Sequence, residues 1–400
     1  MNIPSERSHT AIGLMSGTSA DGVDAVLIII PASLASTNVD VLEFFSYPYS
    51  NELRRRVLEA CGDPGVNTEE ICSLHREIGE VFAEATVAIL DKHRMAPNEL
   101  DFIGSHGQTV RHLPEGGKSS RGILLPSTLQ IGDPSVIAER TGSTVIADFR
   151  ARDVAAGGMG APLTPWAHRV LFENSAHPCA FLNLGGISNI TYIPPGNRDG
   201  LFGFDAGPAN MTLDALTSKI SGGKERFDHG GEIAARGHVN EKALASLMEH
   251  PYLRLPPPKS TGRETFGEAF LNETLDTLAS LGENIENQMA TLTAFSARCI
   301  INAVKIYFPS DAPPTEIIVG GGGVHNKSMM GYLQKGLAPI PIVSSDYHGI
   351  DPDAVEAVSF ALLAWATLRG EPANVPAATG ASHPSVLGNI TPGKNYLSVL

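Results

Sequence analysis

IGLMSGTSADGVDAVLIII, Ile12 to Ile30, decides how the rest of the chain is read. Two apolar runs, Ile12 to Met15 and Val23 to Ile30, flank a loop of Gly, Ser, Thr and Asp, a pattern that predicts two strands joined as an antiparallel hairpin. Within Ser16 to Gly22 the glycines let a ligand approach the backbone, and Ser16, Thr18 and Ser19 add hydroxyls. An anion such as a nucleotide phosphate can lie against such a turn. Asp21 and Asp24 repel a bare anion, so this reading calls for a Mg2+-bound phosphate. The competing reading is a decorated hairpin turn with no ligand.

The same pattern restarts roughly 170 residues later, near the usual length of one domain. Ala180 to Leu184 reads as a strand, GGISN (Gly185 to Asn189) as a loop and Ile190 to Ile193 as a second strand. Each pair is followed by a third strand, Val39 to Tyr47 in the first half and Leu201 to Phe204 in the second. Between and after them lie helices at Asn51 to Cys61, Thr68 to His93, Pro208 to Ser221, Asn240 to Glu249, Phe270 to Leu281, Asn287 to Phe308 and Pro352 to Leu368. Leu74, Ile78, Val81, Phe82, Ala85 and Ile89 form one face of the second. Short apolar strands stand at Phe102 to Gly104, Leu129 to Ile131, Thr144 to Ala147 and Glu316 to Val319. The alternation predicts an α/β fold with an internal duplication. Four hundred residues exceed one ordinary core. The expected division is 1–145, open to completion by the C-terminal segment, and 146–400, with the active site in a cleft between them.

Composition narrows the partners. A net charge of −14 with no basic cluster gives nucleic acid or an acidic membrane nothing to hold. Cys61, Cys72, Cys179 and Cys299 form no C-x-x-C pair and fit buried, reduced thiols. The start, MNIPSERSHT, lacks a basic segment followed by an apolar one, so the expected location is cytoplasmic. A small molecule is the expected partner.

Other stretches carry chemistry. Gly320, Gly321, Gly322 and Gly323 follow the strand EIIV and precede a helix near Asn326, a junction with room for a base, ribose or phosphate. Asp205, in GFDAGPANMTLD, stands between a strand end and a helix start. It is either an N-cap carboxylate or a general base. In ADFRARDVAAGGMGAPLTPWAH, Asp148, Arg150, Arg152 and Asp153 either pair with one another on a solvated face or meet an anionic, hydroxyl-rich ligand. His106 and Gln108, in SHGQTVRH, can hydrogen-bond sugar hydroxyls. His106 and His112 lack a third metal ligand at a recognisable spacing. Glu356 is either a surface carboxylate or a partner of Asp21 at a cation. Gly116 to Ser127 reads as a surface loop, and His250 to Gly267, with Lys259, Arg263 and Glu264, as an ordered site loop. P-loop, Rossmann and G-x-S-x-G signatures are absent.

Taken in order, MSGTSADGVD, SHGQTVRH, ADFRARDVAAGGMGAPLTP, NLGGISNIT, GFDAGPANMTLDA, PKSTGRE and GGGVHN resemble the 1,6-anhydro-N-acetylmuramic acid kinases, part of the actin, Hsp70 and hexokinase-like ATPase superfamily. The resemblance implies a two-domain ribonuclease H-like fold and use of ATP and Mg2+. It also implies opening of a 1,6-anhydro bridge by water with phosphorylation of O6, in cell-wall recycling. On this basis Asp205 is the general base. Gly17, Thr18, Ser19, Ala20, Asp21, Gly22, Val23 and Asp24 form the principal ATP loop. Gly185, Gly186, Asn189, Gly320 to Gly323 and Asn326 are further nucleotide contacts, and His106, Gln108, Asp148, Arg150 and Arg152 are sugar contacts. Asp21 and Glu356 are assigned to the metal. The family tends to dimerise, and a related kinase for another anhydrosugar, such as levoglucosan, is the neighbouring reading. Ala209 stands where the family usually has glycine, which requires a negative φ there.

Overall fold

The opening stretch is buried almost without interruption along its two apolar runs, as strands covered on both faces are. Its arms are β1 (His9–Ser16) and β2 (Gly22–Ile30), antiparallel with Gly13 opposite Val26. The further strands are β3 (Asp40–Pro48), β4 (Phe102–Leu113), β5 (Gly117–Ser119), β6 (Gly122–Leu124), β7 (Ser127–Ile131), β8 (Thr144–Ala147), β9 (Cys179–Leu184), β10 (Ile187–Ile193), β11 (Phe202–Pro208), β12 (Ile317–Gly320), β13 (Ile342–Ser344) and β14 (Asn389–Thr391). The structure, a computed structural model, describes residues 7–33, 39–62, 65–119, 122–196 and 200–399. It divides into one unit of Met1–Leu171 with Ala354–Leu400 and another of Phe172–Asp353. The break thus falls after Leu171, where the sequence reading set it after residue 145.

Each unit is built on the same sheet. In the first the order is β3-β2-β1-β4-β8-β14, with β7 also on β4; in the second it is β11-β10-β9-β12-β13. Within the leading three strands of each, neighbours are antiparallel. The next two run parallel to the first, β4 and β8 in one sheet, β12 and β13 in the other. Two sheets with one connectivity are the internal duplication read from the repeated hairpin. This is the duplicated α/β arrangement expected from the sequence.

In the first unit alternate residues of β1 face opposite layers. Ile12 and Leu14 join Val23, Ala25 and Leu27 in a core with Leu74, Ile78, Phe82, Ala85 and Ile89 of the helix Thr68–His93. That helix starts where Asn67 Oδ1 accepts from Glu70 N at 2.9 Å, satisfying one of the amides a helix start leaves open. On the other face Gly13 and Gly104 lie against the backbone of Ala357 and Phe360, in the helix Val355–Leu368. Glycine at these two positions lets that helix sit close to the sheet, which carries Glu356 to the end of it near Asp24.

In the second unit the long helix Ile285–Tyr307 runs through the core, with Leu292, Ile300 and Val304 packed among Leu182, Phe204, Leu213 and Ile317. Its start is capped by Asn284, whose Oδ1 accepts from Asn287 N at 2.9 Å. The Gly116 to Ser127 stretch, apart from residues 120 and 121, which lie outside the described residues, contains the β5–β6 hairpin, with Ile123 and Leu125 exposed.

A methyl group at Gly104 would overlap the carbonyl of Phe360. Gly104→Ala is therefore expected to destabilise the fold by about 1–3 kcal/mol, the usual cost of overpacking. Urea unfolding would read this as a lower midpoint at an unchanged slope.

Candidate active site

In the first unit the site grows from the turn between β1 and β2. Ala20 N donates to Gly17 O at 3.2 Å and Ala20 takes φ +51°, closing a tight turn. Two side chains brace it from below. Ser16 Oγ lies 2.7 Å from both Gly22 O and Gln108 Oε1, its single proton serving one of them, and Gln108 Nε2 donates to Gly17 O at 3.2 Å. From the helix Asn51–Gly62, Arg54 Nε donates to Asp21 Oδ1 at 2.9 Å and its Nη2 to Ser19 O at 3.2 Å. Gly22 is required by packing, since a Cβ would overlap the carbonyl of Tyr47, and Val23 points into the core. Gly17 differs: its φ is not positive, and no atom of the described residues lies within 4 Å of where a Cβ would stand. Neither packing nor conformation requires glycine at position 17, which fits close approach of something outside the chain.

Sequence reasoning ended a strand at Gly104 and placed His106 and Gln108 in a loop. Instead β4 continues to Leu113, because β7 pairs with its second half and Gly107, at φ +76°, takes up the irregularity. His106 and Gln108 are thereby buried. Gln108 shapes the turn. His106 Nδ1 lies 2.9 Å from Gly107 O and its Nε2 2.9 Å from Arg150 Nε, which assigns a neutral ring with the proton on Nδ1. Burial, then the charge of Arg150, holds the His106 pKa well below its usual value. Arg150 also donates to Gly160 O at 2.7 Å. Asp148 adopts φ +59° and accepts from Asn389 Nδ2 at 2.9 Å; burial pushes its carboxyl up, Asn389 pulls it down. Arg152 is exposed. Asp153 is fully buried and structural, with Oδ1 accepting from Asn374 and Thr379 and Oδ2 from Gly160 N.

Of the expected metal ligands, Asp21 pairs with Arg54, and Glu356 is set against Asp24. Burial pushes the Glu356 carboxyl up to about 7, Asp24 adds to the rise and Arg150 opposes it. Among the described residues no three His, Cys, Asp or Glu side chains converge as a closed metal site. Two carboxylates within electrostatic reach, without a third, are the donor set with which Mg2+ binds alongside phosphates and water.

In the second unit the centre is Asp205. It is not at the end of a strand: β11 continues to Pro208, and the helix Asn210–Ser221 begins beyond it. The N-cap alternative falls away, since no side chain caps that helix. Its first amides are taken by the Gly-Gly turn: Ala209 and Met211 donate to Gly186 O, and Asn210 to Gly185 O, each at 3.0 Å. Ala209 has φ −121°, as its substitution for glycine requires.

The Asp205 carboxylate is 7% exposed and held from two elements. Asn189 Nδ2 donates to Oδ1 at 3.0 Å; Ser260 Oγ and Thr261 N donate to Oδ2 at 2.8 and 2.9 Å. Its backbone is fixed too, Asp205 N donating to Lys259 O at 3.1 Å and Tyr252 Oη to Asp205 O at 2.7 Å. Beside it Asn189 Oδ1 and Thr261 Oγ1 are buried with no partner among the described residues. Native structures rarely leave such atoms orphaned except where a ligand or water meets them. Asn189 thus serves the carboxylate, and only Gly185 and Gly186 of GGISN form the turn, since β10 starts at Ile187. Sequence reasoning missed Tyr252, Ser260 and Thr261, although it marked their loop as ordered.

In the third glycine turn Gly320, Gly321 and Gly323 are fixed by close neighbours. A Cβ at Gly322 would have room, meeting Asp353 Oδ1 at 3.9 Å. Asn326 caps the helix Lys327–Leu337 through Met329 N at 3.0 Å.

The family model for anhydro-N-acetylmuramic acid kinase matches residues 9–393. The chain belongs to the anhydro-N-acetylmuramic acid kinase family. Among similar curated proteins of that name, one from Caldanaerobacter subterraneus subsp. tengcongensis is 40% identical over 98% of this chain and 99% of its own. Another, from Clostridioides difficile, is 39% identical over 96% of this chain and 98% of its own. A third, from Bacillus cereus, is 40% identical over 95% and 98%. The match thus runs over nearly the whole chain, and the protein is an enzyme, a phosphotransferase acting on an alcohol group.

If Gln108 holds the turn, Gln108→Ala should speed amide hydrogen exchange across residues 17–20 by about tenfold, the loss of roughly one hydrogen bond's net worth. Exchange in the second unit should not change.

Proposed function

We propose that this kinase acts on 1,6-anhydro-N-acetylmuramic acid, water and ATP, and that Asp205 is its general base. Water bonds to C1 of the sugar as Asp205 takes its proton. The C1–O6 bond breaks, O6 bonds to the γ-phosphorus, and ADP leaves with the oxygen that bridged the β- and γ-phosphates. The products are N-acetylmuramic acid 6-phosphate, ADP and the proton first held by Asp205. Because the phosphoryl group captures the departing O6, no second carboxylic acid is needed to protonate it, unlike in most glycosidases.

The observation that carries this reading is the clamped Asp205 carboxylate with two polar atoms beside it that have no partner among the described residues. Asn189, Ser260 and Thr261 orient the oxygens, so the base need not reorganise when it takes the proton. In the other unit, the turn from Gly17 to Asp21 would receive phosphate oxygens. Mg2+ supplies charge neutralisation on the phosphates when bound, and Asp24 and Glu356 would hold it; it would also offset the burial and the Asp24 charge that together raise the Glu356 pKa. Arg150, fixed by His106 and Gly160, would meet the sugar's anionic substituent. Arg54 keeps the Asp21 end of the turn in place.

Asp205→Asn keeps size and removes the basic oxygen. It is expected to lower kcat by about 10²–10⁴-fold, the range of general-base contributions. Calorimetric affinity for ATP should be unchanged. Turnover at the parent rate would remove Asp205 from the mechanism.

A further inference from the structure

Lys259 has a place in the second unit that the reaction scheme leaves unused. It is 5% exposed. Its Nζ lies over three aromatic rings, 4.9 Å from the centroid of Tyr252, 5.3 Å from Tyr307 and 5.7 Å from Phe204. Among the described residues its hydrogen-bond partner is Tyr252 O, at a long 3.5 Å. Burying an ammonium group is costly, and ring faces offset only part of the lost hydration. Burial accordingly lowers the Lys259 pKa, while the charge of Asp205 pulls it upward. A lysine is not needed to fill apolar space here; leucine or methionine would do so without that cost.

The lysine is joined to Asp205 in two ways. Its carbonyl accepts from Asp205 N, and the next two residues, Ser260 and Thr261, supply both donors to Oδ2. The cage is assembled from the elements that hold Asp205: Phe204 precedes it on β11, and Tyr252 donates to its carbonyl. Other titratable groups face this cluster. Tyr252 lies on the short helix Pro251–Arg254, Cys299 and Tyr307 on Ile285–Tyr307, and Glu264 on Arg263–Phe266; Arg254 is paired with Glu249. Burial pushes Tyr252 and Cys299 upward, so both stay neutral in the working range.

We propose that Lys259 is a positioning residue for the catalytic base: its caged charge favours the ionised Asp205 carboxylate, and its anchored stem holds Ser260 and Thr261 against Oδ2. This rests on Asp205 being the base. An adjoining cavity of about 310 Å³, lined by Lys259, Leu253, Cys299, Asn302 and Tyr307, gives the cluster a route for small solutes.

The test uses the full-length enzyme with ATP, Mg2+ and the anhydrosugar. Lys259→Met keeps the bulk and removes the charge. It is expected to lower kcat by about tenfold or more, to leave KM for both substrates in place, and to move the acid limb of the kcat profile up by about one pH unit, since a lost neighbouring cation makes a carboxylate more basic. Lys259→Ala should be rescued several-fold by propylammonium entering the cavity, and not by propanol of similar size. A Lys259→Met enzyme with the parent kcat and acid limb would overturn the proposal. So would a loss of activity that tracks a lower melting temperature with the acid limb unmoved, or equal rescue by amine and alcohol. Should Asp205→Asn retain turnover, the general-base reading itself fails; an inactive Asp205→Asn with an unmoved Lys259→Met profile removes only the role of Lys259.

Discussion

A carboxylate almost shut off from water must be given donors by the fold. At Asp205 they come from residues far apart in the chain: Asn189 on the neighbouring strand, and Ser260 and Thr261 on an irregular loop. β10 and β11 must therefore pair in register, and the loop from Leu255 to Gly262 must be pinned over the sheet. Tyr252, bonded to Asp205 O, and Lys259, bonded through its carbonyl to Asp205 N, do the pinning. Removing one donor would leave the buried charge less well compensated, which costs more than the net worth of an ordinary bond.

The first unit meets a different demand with the same sheet. There the strand–turn–strand element leaves the Gly17 side of the turn open, and under the proposed function its backbone would meet an anion and the nearby carboxylates a cation. Packing at Gly13 and Gly104 brings in the helix that carries Glu356, and β2 carries Asp24. Burial first, and then the charge of Asp24, raises the Glu356 pKa there. Duplication supplied two copies of one scaffold, and each hairpin was put to its own use: an open turn braced by Gln108 and Arg54 in one, a Gly-Gly turn binding the start of a helix in the other.

Much of this was legible in the residues. Apolar runs on either side of a glycine turn revealed both hairpins, because strand alternation and turn chemistry are local properties. The helix face from Leu74 to Ile89 was legible for the same reason. Strand ends were harder to read. Polar His106 and Gln108 look like loop residues, yet they lie inside β4 because Arg150, Ser16 and the turn carbonyls satisfy them, partners set by tertiary structure. Asp205 was recognised as important and misplaced, since nothing local distinguishes a mid-strand carboxylate with remote donors from a helix cap. Asp21 was given to the metal, with no local sign that Arg54, 33 residues on, would reach it. Ser260 and Thr261 sit in a stretch with no periodicity, so only its density of turn residues and charges marked it.

The central claim is that Asp205 directs water to C1 while O6 goes to phosphorus. Turnover of the anhydrosugar with ATP in 18O-labelled water tests it most directly, by mass spectrometry of product fragments from early time points, before anomeric exchange with solvent. One labelled oxygen at C1, with unlabelled oxygen bridging C6 and phosphorus, is the predicted result. An unlabelled C1 oxygen, or label at the C6 bridge, would contradict the account.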